Sequence, residues 1–247
     1  MQKRIFAASL VFTLVTGALA YRKHHWVFAA GPLDLSTNIE ALTDGHVQLS
    51  VVNTSNLPIT ALAAVGTRTL LAKPATDRSV RFFDSVLNPF GPRELGPGKT
   101  YTFNFFGPNP PPDQLKRDVQ LRAAIFADGS TWGDQEWITT LLLRRSSAHL
   151  YNAKILKTIE QTTSAGIPLQ QLIQKLSALQ KDDFDAAKTT AEKQMVQAAY
   201  EEALILLQSR TRANGDTASL PEATGQTRSR LFLRVTRLEA SKPPIAN

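Results

Sequence analysis

Two carboxylates, Asp128 and Asp134, flank a tryptophan and two glycines in the stretch FADGSTWGD, residues 126–134. Carboxylates at short spacing are ligands in calcium loops, and a tryptophan beside them can stack on a sugar ring. The dipeptide Asp128-Gly129, however, is typical of tight hairpin turns. Strand residues rise about 3.3 Å each, so Asp134 would lie roughly 13 Å from the turn, too far to share an ion with Asp128. The stretch therefore predicts a hairpin turn and not a metal site.

The register of this hairpin follows from which residues can be buried. A two-residue turn at Asp128-Gly129 places Ile125 opposite Trp132 on the core face of the sheet. Uninterrupted pairing beyond that point would bury the carboxylates of Asp134 and Glu136 without partners, which costs free energy. The pattern therefore predicts one interruption of the pairing before these acids.

Gly133 is the expected place for that interruption, as a β-bulge of one extra residue. The bulge would point Trp132 and Trp137 into the core and turn Asp134 outward. If they were exposed together, the three tryptophans, which include Trp26, would instead form an apolar platform for a sugar ring. Burial is the commoner use of such residues, so we expect a core and keep a carbohydrate-binding module as an alternative.

The motif GPGKT, residues 96–100, has part of the pattern of a phosphate-binding loop. That loop would need a glycine at position 93, where the chain has Arg93. The motif also precedes the alternating strand pattern of Tyr101–Phe106, whereas a phosphate-binding loop must open a helix. GPGKT therefore predicts a turn that enters a strand.

No catalytic, cofactor-binding or metal-binding residue is predicted. The chain has no Gly-x-Ser-x-Gly elbow and no His-Glu-x-x-His pair. Its four histidines do not stand in the patterns of a metal or catalytic site; they are His24, His25, His46 and His149. An enzyme would have to use scattered acids such as Asp84, Asp128 or Glu136, between the sheets and the helices. We expect a protein that is not an enzyme and keep the envelope enzyme as an alternative.

The amino terminus has the pattern of a secretory signal. Lys3 and Arg4 precede an apolar run over residues 5–15, which ends in the small-residue pattern Ala18-Leu19-Ala20. The run is shorter than the roughly 18 residues that a membrane span needs. The chain also has no cysteine, so its fold cannot depend on disulfides. We expect residues 1–20 to be removed after Ala20 and the protein to be periplasmic or extracellular.

The net charge of the chain is +7, but its basic and acidic residues are interspersed. Such scatter is typical of a solvated surface and not of a nucleic-acid-binding stripe. Nucleic acid is therefore not an expected partner. The expected partners are another envelope protein or a surface polymer, with membrane contact at most peripheral.

Residues 25–145 carry the pattern of antiparallel strands. Val47, Leu49 and Val51 alternate with polar residues, which indicates one buried and one wet face. One or two strands are expected within Trp26–Ile39. The other predicted strands are Val47–Val51, Ile59–Val65, Val80–Val86, Tyr101–Phe106, Val119–Ala127 and Glu136–Leu143. About seven or eight strands in this length predict a β-sandwich.

The character of the chain changes after Arg145, and residues 146–210 predict helices. Leu169, Leu172 and Leu176 recur at helical spacing, and a longer periodic segment begins near Asp183. Gly166 and Pro168 are the expected stop and start signals between the first two helices. The polar stretch 211–227 is expected to be a mobile loop.

The segment 228–247 begins as a basic amphipathic pattern. Arg230, Arg234 and Arg237 share one helical face, and Leu231 and Leu238 belong to the apolar stripe. The three arginines form a candidate partner surface, either for another protein or for anionic lipid. Docking of the stripe onto the preceding helices is expected, although the segment could also be a strand.

Three pieces of the chain resemble successive landmarks of bacterial extracytoplasmic Ig-like β-sandwich domains. They are VQLSVVNTSNLPITA (47–61), LGPGKTYTF (95–103) and LRAAIFADGSTWGD (121–134). In those domains a strand ends in Asn and small polar residues, a Pro-Gly turn precedes an aromatic strand, and an Asp-Gly hairpin closes the sheet. The resemblance covers residues 33–145. It implies a non-catalytic adhesion, scaffold or ligand-presenting module and identifies no functional residue. The sequence as a whole predicts a secreted, non-catalytic binding or structural module of the bacterial envelope.

Overall fold

The computed structural model describes residues 26–28, 35–42, 46–70, 76–88, 94–106, 115–214 and 220–241. The predicted signal peptide with its cleavage site at Ala20 lies outside these residues, as do His24 and His25. Among the helices within the described ranges, none is long and apolar enough to span a membrane. Export and signal cleavage stay predictions.

Eight strands and four helices make up the described residues. The strands are β1 (Trp26–Phe28), β2 (Leu35–Ala41), β3 (Val47–Asn53), β4 (Ile59–Leu70), β5 (Thr76–Asp84), β6 (Thr100–Phe105), β7 (Leu115–Phe126) and β8 (Thr131–Gly133). The helices are α1 (Gln135–Ser164), α2 (Leu169–Ala186), α3 (Thr190–Asn214) and α4 (Leu220–Ala240). The strands form two antiparallel sheets, in the orders β1-β2-β3-β6 and β5-β4-β7-β8. The predicted order of a two-sheet region followed by helices is confirmed.

The chain divides into two compact units. The first contains the described residues up to Asn56 together with Ala64–Arg81 and Pro97–Leu121. The second contains Leu57–Ala63, Phe82–Gly96 and the described residues from Arg122 onward. Strands β4, β5 and β7 therefore contribute residues to both units.

The core of the first unit lies between its two sheets. Val47, Leu49 and Val51 of β3 are buried and alternate with half-buried residues, which confirms the predicted strand. In the register of the sheet, Val47 is opposite Phe105 of β6. A Cβ added to Gly66 of β4 would lie 2.6 Å from the ring of Phe105, so the second sheet approaches the first closely here. This close approach requires the absence of a side chain at position 66.

The core of the second unit is formed largely by its helices. The predicted α2 is confirmed, since its residues Leu172, Ile173 and Leu176 are buried. Gly166, at a φ of 65°, ends the turn after α1, and Pro168 precedes α2, as predicted. The other helices also contribute buried apolar residues to this core, which include Ile155, Ile159, Val196, Tyr200, Leu207, Leu231 and Leu238.

The predicted strand Glu136–Leu143 is wrong, because these residues form the first turns of α1. Trp137, Ile138 and Leu141 are buried at helical spacing. The β-branched and aromatic residues of this stretch favour a strand locally, but burial of this helical face outweighs that preference. The backbone carbonyl of Asp134 accepts the N–H groups of Trp137 and Ile138 at 2.9 and 3.0 Å, so the helix begins just after it.

Two further boundaries differ from the prediction. Helix α3 begins at Thr190 and not near Asp183, because Thr189 and Glu192 form a capping box. The Thr189 hydroxyl accepts the N–H of Glu192 at 3.1 Å, and the Glu192 carboxylate accepts the N–H of Thr189 at 2.9 Å. The predicted loop 211–227 is also too long, since residues 211–214 and 220–227 are helical. Only residues 215–219 of it lie outside the described residues.

Candidate functional site

Asp128 closes a turn, as predicted. Its carboxylate accepts the backbone N–H of Ser130 at 2.9 Å and the Ser130 hydroxyl at 2.6 Å. These hydrogen bonds hold the pKa of Asp128 below its usual value, and the bond from the Ser130 hydroxyl has the largest effect. The loop has three residues and not two, because Phe126 pairs with Ser130. The predicted pair of Ile125 with Trp132 is therefore wrong, and Ile125 lies opposite Thr131.

Gly133 marks the point where the hairpin changes direction into α1. Its φ is +104°, and an added Cβ would collide with the backbone carbonyl of Arg122. The next residue, Asp134, donates its N–H to that carbonyl at 2.8 Å. Glycine is required here because other residues rarely adopt this backbone conformation. The sequence argument found the special position of Gly133 but assigned it to a bulge within a continuing strand.

The two carboxylates of the opening motif have separate partners. Asp134 is exposed, as predicted, and pairs with the guanidinium of Arg122 at 2.5 Å. Asp128 lies at the hairpin tip with Ser130, so the structure does not bring the two acids together as ligands. No group of three or more potential metal ligands occurs among the described residues. The absence of a metal site stays a prediction.

Trp132 and Trp137 lie on different elements and are buried to different extents. Trp137 is buried, and its ring centroid lies 6.4 Å from that of Phe82. Trp132 is only half-buried and lies opposite Ala124 in the sheet. The predicted burial is thus confirmed for Trp137 but not for Trp132. The two residues were predicted to share one face of a continuing strand, but Trp137 belongs to helix α1. The side chain of Trp26 lies outside the described side chains.

GPGKT forms a turn, and His149 contacts a neighbouring helix. Gly98, at a φ of 70°, lies in the turn before β6, which confirms the predicted turn. His149 of α1 contacts Glu239 of α4, with 2.6 Å between Nε2 and Oε2. His46 is half-buried and directly precedes β3.

A buried ion pair joins Asp84, the last residue of β5, to Arg145 of α1. Nε of Arg145 lies 2.9 Å from Oδ2 of Asp84, and Nη2 lies 3.2 Å from Oδ1. Nη2 also donates to the hydroxyl of Thr60 at 3.0 Å, and that hydroxyl donates to the carbonyl of Ile125 at 3.1 Å. The sequence singled out Asp84 only as one scattered acid. Nothing in its spacing pointed to Arg145, which lies 61 residues away.

The Asp84 carboxylate is fully engaged. Besides Arg145, its Oδ1 accepts the backbone N–H groups of Val86 and Leu87 at 3.0 and 3.2 Å. The carboxylate already accepts hydrogen bonds from a guanidinium and two amides, so it has little acceptor capacity left for a substrate proton. The arrangement is that of a structural clamp between a strand end and a helix. Asp128 and Glu136 lie on other elements and do not join it.

A cleft of about 280 Å³ lies beside this clamp in the second unit. It is lined by hydroxyl, apolar and charged residues: Thr60, Ser85, Val86, Glu94, Ala127, Arg237, Ala240 and Ser241. The Ser85 hydroxyl donates to the carbonyl of Thr60 at 3.1 Å, so it is already committed. Arg237, predicted as part of a partner surface, therefore lines the same cleft as Thr60, whose hydroxyl accepts a hydrogen bond from Arg145.

Residues 220–240 form a helix, which decides between the helix and the strand that the sequence left open. Leu231 and Leu238 are buried in the helical core, as the apolar stripe predicts. Arg230, Arg234 and Arg237 are all half-buried. Arg234 is paired with Glu202 of α3 at 2.8 Å, so part of the predicted basic surface is used within the molecule.

Two large apolar side chains of α4 are exposed to solvent. Phe232 is 60% exposed and Leu233 is 57% exposed. Leu233 stands three residues after Arg230 and four before Arg237, so all three share one side of the helix. We call Arg230, Phe232, Leu233 and Arg237 the α4 surface. The sequence analysis identified its arginines but overlooked the apolar pair, because Phe232 and Leu233 adjoin the buried stripe.

No family model matches this chain, and no curated protein matches it. A solved structure, the trimeric lipoprotein SadB of Salmonella enterica, is 18% identical. The match covers 49% of this chain and 72% of that chain, with a TM-score of 0.28. At this identity and TM-score, the likeness supports no conclusion about fold or function.

Proposed function

We propose that this protein is a non-catalytic binding module of the bacterial envelope, exported by a signal that is cleaved after Ala20. Its sheets form an Ig-like framework, and the α4 surface contacts a partner protein. The observation that carries this proposal is the exposure of Phe232 and Leu233 on one helix, with Arg230 and Arg237 on the same side as Leu233. Exposed apolar side chains accompanied by arginines are typical of the centres of protein interfaces.

The chemistry of the α4 surface defines the partner. Its charged members are Arg230 and Arg237, whereas Arg234 of the same helix is paired with Glu202 of α3. A complementary partner presents an apolar patch with carboxylates at its edge. The proposed partner is therefore an acidic envelope protein. Contact with anionic lipid is the competing outcome of the test.

Two observations support a binding role over the alternatives from the sequence. Asp84, the best-buried of the acids considered for catalysis, is held by Arg145 and two backbone amides. Trp137 is buried against Phe82, which removes it from any aromatic platform for a sugar. No specific observation favours an enzyme or a carbohydrate-binding module.

The test is retention of envelope proteins on the immobilised protein, with mass spectrometry to identify them. The double variant Phe232→Ser/Leu233→Ser should lose the partner, because it removes the apolar side chains of the proposed contact. Both side chains are exposed, so their removal leaves the core intact. Ile205→Ser is a matched control, since Ile205 of α3 is 63% exposed and lies on another helix. A partner retained equally by all three proteins, or binding only to anionic vesicles, would contradict the proposal.

A further inference from the structure

Helices α2 and α3 lie antiparallel, with a groove between them. The short connection 187–189 joins the two helices, and Phe184, near the end of α2, contacts Lys193, near the start of α3, with 5.1 Å from the ammonium to the ring centroid. The groove has a volume of about 310 Å³ and is lined by Ser177, Gln180, Lys181, Phe184, Gln197 and Glu201. All six residues belong to the second unit and to the continuous described range 115–214.

The two walls of this groove carry opposite charges that do not meet. Lys181 lies on the α2 wall and Glu201 on the α3 wall, and both residues are exposed. Within the part of the chain that the structure describes, Lys181 forms no ion pair or hydrogen bond. The Glu201 carboxylate accepts the side-chain amide of Gln197 at 2.8 Å and pairs with no cation there. A surface with one unpaired charge of each sign is complementary to itself.

Each of these charged residues is followed by an exposed apolar side chain about one helical turn later. Phe184 stands three residues after Lys181 on α2, and Ile205 stands four residues after Glu201 on α3. Residues at these spacings share one side of a helix. Phe184 is 37% exposed and Ile205 is 63% exposed. Both helices therefore present the same order, a charge followed by an apolar side chain.

A single twofold axis brings both features into contact in a pair of identical chains. In a twofold interface, residue i of one copy meets residue j of the other, and j meets i. An axis midway between Lys181 and Glu201, perpendicular to the plane of the two helices, places Lys181 of each copy against Glu201 of the other. Because α2 and α3 are antiparallel and the rotation reverses direction, α2 of one copy then runs parallel to α3 of the other.

The apolar residues meet under the same rotation without further adjustment. At 1.5 Å per residue, Phe184 lies about 4.5 Å beyond Lys181, and Ile205 lies about 6 Å beyond Glu201. These distances agree to within the size of a side chain, so Phe184 of one copy meets Ile205 of the other. One turn in the opposite direction, Ser177 comes opposite Gln197, and neither residue carries a charge that would oppose the contact.

We propose that the protein forms a homodimer with twofold symmetry through the surface defined by Lys181, Phe184, Glu201 and Ile205. We call this surface the α2–α3 face. Two independent properties, the opposite charges and the exposed apolar side chains, are self-complementary under one axis. The α2–α3 face lies on helices other than α4, so this proposal does not depend on the α4 surface.

Sedimentation velocity of the purified protein, measured over roughly 1–200 μM, tests the proposal without any variant. Specific interfaces of modest size associate in this concentration range. We expect a monomer–dimer equilibrium, with the dimer fraction rising with concentration. A protein that stays monomeric at every concentration would overturn the proposal.

Reversal of the two charges tests the contact itself. Lys181→Glu and Glu201→Lys should each weaken dimerisation at least about tenfold, because the twofold axis converts each change into two like-charge contacts. The variant with both changes should return to within about threefold of the wild type, because opposite charges meet again. Such recovery cannot come from a folding defect.

Lys175→Glu is the matched control for these reversals. Lys175 is an exposed lysine of the same helix that does not line the groove, so its reversal changes the net charge equally and should leave dimerisation unchanged. A dimer that neither Lys181→Glu nor Glu201→Lys weakens would overturn the proposal. So would a failure of the two changes together to restore dimerisation.

The apolar contact separates this interface from the proposed function. Ile205→Ser should weaken dimerisation at least about tenfold, because two apolar contacts are lost in each dimer, and should still retain the partner of the α4 surface. Phe232→Ser/Leu233→Ser should lose that partner and keep the dimer. A dimer that this variant dissociates would belong to the α4 surface and would overturn the proposal. A monomeric chain that binds another envelope protein through the groove, with binding lost in Lys181→Glu, would also overturn it.

Discussion

Arg145 holds Asp84 at two points, with 2.9 Å between Nε and Oδ2 and 3.2 Å between Nη2 and Oδ1, and both residues are buried, with exposed fractions of 6% and 8%. The pair links the first long helix to the end of β5 inside the second unit. Burying two charges is costly, so the pair is tolerated only because the other donors and acceptors around it are also satisfied. Substitution of either residue by a neutral one would leave the other as a buried charge without compensation.

Arg145→Met should therefore lower the free energy of unfolding by about 3–5 kcal/mol, as measured by urea denaturation. Asp77→Ala is the control, because Asp77 forms an ion pair with Arg68 while its side chain is 59% exposed. Exposed pairs contribute about 0–1 kcal/mol. Equal effects of the two substitutions would show that the Asp84–Arg145 pair is not a structural clamp.

Trp137→Ala should cost about 3–5 kcal/mol, the range for removal of a large core side chain. Its ring is buried in the first turn of α1 and contacts Phe82. Leu150→Ala tests a large apolar residue on the same helix that is exposed to solvent. That change should alter the free energy of unfolding by no more than about 0.5 kcal/mol. Thermal and urea denaturation of both variants provide the comparison.

Gly133→Ala should destabilise the protein more than Gly98→Ala. Both glycines have positive φ, which costs an L-residue roughly 1–2 kcal/mol. A Cβ at Gly98 meets nothing within 4 Å, whereas one at Gly133 collides with the carbonyl of Arg122. Urea midpoints of the two variants measure the difference. If Gly133→Ala were as mild as Gly98→Ala, the sharp passage from β8 into α1 would not depend on this close approach.

Tyr200 should make the stability of the protein sensitive to alkaline pH. Its burial, followed by the hydrogen bond from its hydroxyl to Asp183 at 2.7 Å, raises its pKa far above the usual value. The folded state then keeps a proton that the unfolded state loses near pH 10. The contribution is complete below that pH and is lost progressively as the pH rises above it. The free energy of unfolding measured between pH 7 and 11 should therefore fall, and less steeply in Tyr200→Phe.

At neutral pH, Tyr200→Phe should also cost about 1.5–3 kcal/mol, because it removes a hydrogen bond to a charged carboxylate. Asp183 would keep its contact with Lys154, at 2.6 Å. An unchanged free energy of unfolding at pH 7 together with an unchanged alkaline slope would contradict the role assigned to this hydroxyl.

Asp134→Ala should change the free energy of unfolding by no more than about 1 kcal/mol, since its ion pair with Arg122 is half-exposed. Added calcium should not raise the melting temperature of the wild type. Differential scanning calorimetry with and without calcium checks both statements. A calcium-dependent gain that Asp134→Ala abolishes would make the stretch 126–134 a metal loop and not a turn.

The sequence by itself determined features that depend on near neighbours. Alternation specified β3, helical spacing specified α2 and the stripe of α4, and the Asp128-Gly129 and Pro97-Gly98 turns followed from backbone preferences that few other residues share. The Thr189–Glu192 capping box was equally local, and its spacing could have given the start of α3.

Only the tertiary structure decided the features that depend on distant contacts. Glu136–Leu143 has the composition of a strand, but a helix buries Trp137 and Leu141 together, and the free energy of that burial exceeds the small local preference. The partner of Asp84 lies 61 residues away. Such relationships depend on which elements pack against each other, and a pattern of neighbouring residues does not show this.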